Sequence, residues 1–244
     1  LNLLVPQGQL GTRLMGGKDH SSARYIFTYL EKYTNKIFIK QDLELLEYLD
    51  DDGTEIEPKF YLPIIPMVLV NGSEGIGTGF STYIPNYNAK DIIKYLMNKL
   101  NNIKNKDKLI PYYKNFKGSI IELDDLTFIS SGNIELLDNK NELIITELPV
   151  KLWTNDYKEF LEMLIYEDKD KLFKSYSNMS SDVEVKFVLT FNPENKDKIK
   201  NMLDTVDANN LNNLYKYLHL YKTLKQSNMN LYSMDYKIQS FNNA

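Results

Sequence analysis

Residues 62–88 read LPIIPMVLVNGSEGIGTGFSTYIPNYN, an apolar run followed by a glycine-dense turn and a proline-bearing exit. The apolar run is rich in Ile and Val and bounded by turn residues, so a strand is expected there. Glycines at 72, 75, 77 and 79 invite comparison with the dinucleotide fingerprint, in which G-x-G-x-x-G opens directly into a helix that meets the pyrophosphate. Here the spacing is Gly75-x-Gly77-x-Gly79 and Pro85 intervenes before the next helix, so the fingerprint is not met. What remains is a loop made bare by glycine and carrying one exposed aliphatic residue, Ile76. Such a residue serves either as a buried anchor or as a wedge pushed between base steps of bent DNA. The residues alone leave both roles open.

Working outward, a helix is expected to start at Asn88, with Asn as N-cap and Asp91 in its first turn, and to bury Ile92, Ile93, Leu96, Leu100 and Ile103. NNIKNKDK (101–108) reads as a solvated loop or helix end. FKGSIIEL (116–123), FISSGNIELL (128–137) and NELIITELPV (141–150) look like a meander of strands. WTNDYKEFLEMLIYE (153–167) reads as a helix capped by Thr154. VEVKFVLTF (183–191) reads as a strand, and Pro193 as the first residue of a helix. ANNLNNLYKYLHLYKTL (208–224) has a helical pattern and MNLYSMDYKIQSF (229–241) that of a last strand. The sum is an α+β chain with mostly antiparallel strands and no internal repeat.

Upstream of the opening stretch, SSARYIFTYL (21–30) continues a helical pattern whose apolar face is Ala23, Ile26/Phe27, Leu30, Tyr33 and Ile37. Tyr25 lies off that stripe, on a face with Tyr29, Lys32 and Lys36. DLELLEYLDDDG (42–53) reads as a short acidic helix.

At 244 residues with 43% apolar content, the chain has material for one large or two ordinary globular domains. No run approaches the ~18–20 apolar residues of a membrane span, and no secretory signal opens it. The absence of cysteine excludes disulfides and thiolate metal sites, and fits a reducing compartment. The opening LNLLVPQGQLGTR, with no starting Met, suggests a piece of something longer. The net charge of −4 argues against a polyanionic partner, but it is unevenly spread. Residues 1–40 carry six cations against two acids, a balance of +4, leaving −8 for the remainder. A basic end on an acidic body can steer a polyanion to one place.

Hydrolytic chemistry is poorly supplied: the only histidines are His20 and His219, the second in a stretch rich in Tyr and Leu. EYLDDDG (47–53) lacks the interleaved spacing and terminal Glu of a calcium loop. GTRLMGGKD (11–19) approaches a P-loop, but Gly17 occupies the lysine position and no Ser or Thr follows Lys18. No metal site is legible. Tyr25 is left as a candidate nucleophile. A phenol with its ordinary pKa near 10 needs a base, a cation or a metal-polarised substrate, and Arg24 and Lys18 can bring positive charge to a phosphate.

Three blocks, GQLGTRLMGGKDHSSARYIFTYL (8–30), YLPIIPMVLVNGSEGIGTGFSTYIPNYN (61–88) and ITELPVKLWT (145–154), closely resemble the DNA breakage-reunion core of eukaryotic-type DNA topoisomerase II. The resemblance implies that Tyr25 is the active-site tyrosine that becomes linked to a DNA 5′ phosphate, and that Arg24 assists at the scissile phosphate. It implies that Ile76 intercalates and bends DNA, and that Arg13 and Lys18 lie near the DNA backbone. By the same likeness, residues 1–62 are the later part of a winged-helix domain and 63–244 a tower domain. His20 departs from the family, which usually has a small residue there. The implied whole protein is a nuclear homodimer acting on double-stranded DNA with Mg2+ and ATP, both bound by domains outside this chain, and with no membrane partner. A non-catalytic DNA-bending or scaffold module of the same fold is the alternative.

Overall fold

Alternating apolar residues build the main core. In the strand Phe187–Phe191, residues 187, 189 and 191 are buried and the two between them half-buried, the period-2 pattern of a sheet with one face covered. The structure, a computed structural model, describes residues 1–104, 108–167, 171–233 and 235–241.

In chain order, β1 (Leu4–Gln7) pairs antiparallel with β2 (Phe27–Leu30), and a one-turn helix α1 (Thr34–Ile37) follows. Next come the hairpin β3 (Tyr48–Asp51) and β4 (Thr54–Pro58), helix α2 (Met67–Asn71), the hairpin β5 (Ser73–Gly77) and β6 (Phe80–Ile84), and helix α3 (Ala89–Leu100). Strands β7 (Ser119–Asp124), β8 (Thr127–Ser131), β9 (Asn133–Leu137) and β10 (Glu142–Glu147) lead to helix α4 (Thr154–Glu167). After β11 (Phe173–Asn178) and β12 (Phe187–Phe191) come helices α5 (Lys196–Asp204) and α6 (Asn213–Tyr217). Strand β13 (Tyr221–Lys225) and the hairpin β14 (Met229–Tyr232) and β15 (Ile238–Phe241) complete the described order.

The largest sheet has the order β11-β12-β10-β9, all antiparallel. Leu143 and Ile145 from β10 and Phe187 and Leu189 from β12 pack with Tyr157 and Leu161 of α4 in one buried cluster. Each such side chain contributes about 1.5–3 kcal/mol of hydrophobic stabilisation. A smaller core joins Val70 of α2, Tyr87 from the segment before α3, and Ile92 of α3. Burial pushes the Tyr87 phenol up, and its hydroxyl accepts from Gln226 Nε2 at 2.6 Å.

The α+β class and the antiparallel pairing agree with the sequence, as does the Asn88 cap, whose Oδ1 accepts from Lys90 N at 2.9 Å. Pro193 opens a 3-10 turn that runs into α5. Several element assignments are corrected. The run at 62–71 ends in α2, because Pro63 and Pro66 withhold ladder donors and the Pro66 carbonyl accepts from Leu69 N and Val70 N. The single helix read over 21–37 is a 3-10 turn (Ala23–Tyr25), then β2, then α1. Its residues 26–29, Ile-Phe-Thr-Tyr, favour extended backbone, and β1 supplies the partner.

The acidic helix at 42–53 is instead a 3-10 turn (Lys40–Leu45) followed by the β3–β4 hairpin, closed by Asp52-Gly53. The meander splits at Gly132: β7 and β8 form a sheet with β13, whereas β9 and β10 join the main sheet. Helix 208–224 contracts to α6, since residues 221–225 pair with β8. The last strand is a hairpin. On α3, Ile92 is buried and Leu96 half-buried, but Ile93 and Leu100 are exposed, and Ile103, beyond the helix end, is exposed too. The Thr154 hydroxyl is buried with no hydrogen-bond partner among the described residues, so it does not cap α4. The NNIKNKDK loop lies in part, at 105–107, outside the described residues.

Candidate functional site

Tyr25 ends the short 3-10 turn, its N–H donating to Ser22 O at 2.9 Å, and the chain turns extended at Ile26. This leaves Tyr25 61% exposed. The Arg24 guanidinium carbon lies 4.9 Å from the Tyr25 ring centre, a cation–π contact that keeps a planar, permanently charged group beside the phenol. Because β2 is a strand, the expected helical face of Tyr25 with Lys32 and Lys36 does not exist; Tyr29 lies on the ribbon and is exposed.

The loop before Tyr25 is closed by its own hydrogen bonds. Ser21 N donates to Gln9 O at 2.9 Å and Gly17 N to Thr12 O at 3.0 Å. The Asp19 carboxylate accepts from the Thr12 hydroxyl at 2.5 Å and from Thr12 N at 2.9 Å, and these bonds, the hydroxyl first, hold its carboxyl below the usual range. Lys18 and His20 are exposed on this loop, and His20 Nδ1 lies 2.9 Å from Ser21 O.

The loop is also fastened to the body. Arg13 presents its guanidinium to both carboxylate oxygens of Glu147. Glu147 is 1% exposed at its side chain and accepts further from Lys117 N at 3.0 Å and Leu148 N at 2.9 Å, so the buried charge is fully paired. Leu14 O accepts from Asn155 N at 3.0 Å, which satisfies a free donor at the start of α4. Gly16, at φ 61°, lies flat against the indole of Trp153, where any β-carbon would collide with the ring. Arg13, expected at the DNA backbone, is thus already engaged by a carboxylate, with its side chain 26% exposed.

Ile76 sits on β5 opposite Ser81 of β6 and is 93% exposed. The hairpin turns at Thr78-Gly79, with Gly79 at φ 78°, and Phe80 is exposed beside it. The glycine-dense loop is therefore a two-stranded projection with Ile76 near its tip. Asn228 and β14 brace it as far out as the partner of Ile76: Tyr83 N donates to Asn228 O at 2.8 Å and Asn230 Nδ2 to Ser81 O at 2.8 Å. Lys151 Nζ lies 2.5 Å from Glu74 Oε2 and 3.9 Å from the Tyr83 ring centre. The Tyr83 and Tyr113 hydroxyls are 3.1 Å apart, and burial pushes both phenols up.

Sequence reasoning missed Glu147, Lys151 and Trp153 as site residues. Their one signal is that all three fall within the block ITELPVKLWT. His219 is not helical: at φ 52° it follows α6 and stacks on Phe160 at 4.2 Å, a packing role.

The carboxylates present do not fit a metal ion. Among the described residues no group of three or more His, Cys, Asp or Glu side chains is arranged to hold one, and the carboxylate of Asp19, six residues before Tyr25, is occupied by Thr12 donors. Among the described residues no helix is long and apolar enough to cross a membrane.

The chain is similar along its whole length to known proteins. The chain is 43% identical over 244 residues to DNA topoisomerase 2 of Plasmodium falciparum, a match covering 99% of the chain and 16% of that protein. It is 47% identical over 204 residues to the mitochondrial DNA topoisomerase 2 of Dictyostelium discoideum, covering 84% of the chain and 15% of the relative. Among solved structures, the DNA-binding, cleavage and re-ligation domain of Plasmodium falciparum topoisomerase II superposes with a TM-score of 0.88 at 42% identity, covering all of this chain and 32% of that one. The chain thus spans about one-sixth of the length of these curated relatives. The family model for the A subunit of DNA gyrase/topoisomerase IV matches residues 1–243, and with likeness to eukaryotic topoisomerase II along its whole length the chain belongs to that family.

Proposed function

We propose that this chain is part of the breakage-reunion core of a type II DNA topoisomerase, an ATP-dependent enzyme that passes one duplex through a transient double-strand break in another. The observation that carries this reading is Tyr25: an exposed phenol beside a stacked arginine, in a loop braced on both sides, within a chain of this family. In the proposed step the Tyr25 oxygen attacks the phosphorus of a DNA phosphodiester. The phenol gives up its proton as an O–P bond forms to the 5′ phosphate, the P–O3′ bond breaks, and the departing 3′ oxygen takes up a proton. A phenol and a phosphodiester thus become an aryl phosphodiester and a 3′ hydroxyl. Reversal restores the DNA without a new energy source, because one phosphodiester has replaced another.

Arg24 balances charge at the phosphate through its planar donor fork. Lys18, exposed on the loop, meets the DNA backbone, and Arg13 reaches it only through the donors that Glu147 leaves. Ile76 enters between base steps and bends the duplex, a role supported by its exposure at the tip of a braced hairpin. Residues 1–62 act as the later part of a winged-helix domain and 63–244 as the tower. Two copies of Tyr25 are needed to cut two strands, so the whole protein works as a homodimer. Mg2+ and ATP act from parts of it outside these residues, and the nucleus, where the DNA is, is its site of action.

The test is Tyr25→Phe in the full-length protein. DNA binding is expected to survive and covalent protein–DNA adducts to vanish; adducts formed by the variant would overturn the assignment and leave a DNA-bending module.

A further inference from the structure

One short segment touches both halves of the proposed site. From residues 147–155, Glu147 receives Arg13, Trp153 receives Gly16 and Asn155 N donates to Leu14 O, three attachments to the loop that leads into Tyr25. Between these, Lys151 reaches the other way, to Glu74 and the Tyr83 ring on the hairpin that carries Ile76. The segment is stiff: Pro149 fixes one backbone angle, and Lys151 holds a left-handed φ of 64° while its carbonyl accepts from Lys222 Nζ at 2.7 Å.

We propose that residues 147–155 form a strut that keeps the Tyr25 loop and the Ile76 hairpin in one register, with Glu147 and Lys151 as positioning residues for strand cleavage. The proposal rests on Tyr25 as nucleophile and Ile76 as wedge. Bending DNA at Ile76 moves the scissile phosphate, and that motion presents the phosphate to the phenol only if the two elements are held relative to each other. Misplacement by about 1 Å can cost on the order of a hundredfold in rate, so a rigid link between wedge and nucleophile has catalytic value. In the Lys151–Glu74 pair Glu74 is exposed and Lys151 half-buried, and an ion pair open to solvent on one side adds at most about 1 kcal/mol, so Lys151→Met is expected to leave the fold intact and to change position.

The experiment is a double-mutant cycle in the full-length enzyme with Lys151→Met, Ile76→Ala and their combination. DNA bending is read by energy transfer between duplex ends and cleavage by the single-turnover rate of covalent adduct formation. Lys151→Met is expected to bind and bend DNA as the parent does while forming adducts about tenfold more slowly, and Lys151→Arg to recover most of the rate. The loss caused by Ile76→Ala is expected to be smaller, by about threefold or more, in the Lys151→Met background than alone. Adduct rates unchanged by Lys151→Met, losses that multiply to within about twofold, or a loss of bending in proportion to cleavage would each overturn the strut. Tyr25→Phe is run beside the cycle: adducts from that variant defeat the nucleophile assignment, whereas a failed cycle with no such adducts defeats the strut alone.

Discussion

The guanidinium of Arg13 and the carboxylate of Glu147, 134 residues apart in sequence, form an ion pair that closes the Tyr25 loop onto the end of β10, an inner strand of the main sheet. Glu147 is buried beneath the Arg13 side chain. Arg13→Ala is therefore expected to destabilise the fold by about 3–5 kcal/mol, through the carboxylate left unpaired. Arg13→Lys should recover part of this, since it restores charge but not the fork. Denaturant unfolding of the two variants measures the difference.

Gly16 and Trp153 give a second handle on the same contact. Gly16→Ala combines a left-handed backbone with a collision against the indole, and is expected to cost about 1–3 kcal/mol. Trp153 is the sole tryptophan, so undocking of the loop should appear as a red shift in its emission before global unfolding.

The hairpin behaves oppositely. Ile76 is almost wholly exposed, so Ile76→Ala should leave thermal unfolding within about 0.5 kcal/mol of the parent. Its effect should appear in the bending of bound duplex, measured by end-to-end energy transfer, and less in affinity, which is set mainly by phosphate contacts.

Asp19 fixes the acid limit of the loop. Its carboxyl is held below the usual carboxylate range, chiefly by the Thr12 hydroxyl. A depressed folded pKa gives stability that is complete above the unfolded value and is lost as pH falls through the folded one. Hydrogen exchange of residues 9–21 should thus be insensitive to pH-linked loosening above about pH 5 and show it below about pH 4. Thr12→Val should move the Asp19 carboxyl titration, followed by NMR, back upward.

The sequence made some features legible and hid others for physical reasons. The α+β class and the Asn88 cap follow from local pattern and agree with the structure, whereas the exposure of Tyr25 arises from a 3-10 turn and a strand rather than from the helical face the pattern suggested, and that of Ile76 from a hairpin. The helical pattern over 21–37 misled because Ile-Phe-Thr-Tyr at 26–29 favours extended backbone despite the helical spacing, and only the partner Leu4–Gln7 decides between them. The split of the meander at Gly132 depends on β13, some ninety residues further on, pairing with β8. Glu147 and Lys151 were invisible as site residues for the same cause: a buried carboxylate and a half-exposed lysine mean little until Arg13 and Glu74 are seen to face them.

The most direct measurement is the chemical identity of the protein–DNA link. Adducts trapped by denaturing the full-length enzyme on duplex DNA, digested with nuclease and protease, should yield one modified peptide carrying a nucleotide on the Tyr25 oxygen through its 5′ phosphate. A nucleotide found on another residue, or attached through its 3′ phosphate, would contradict the account.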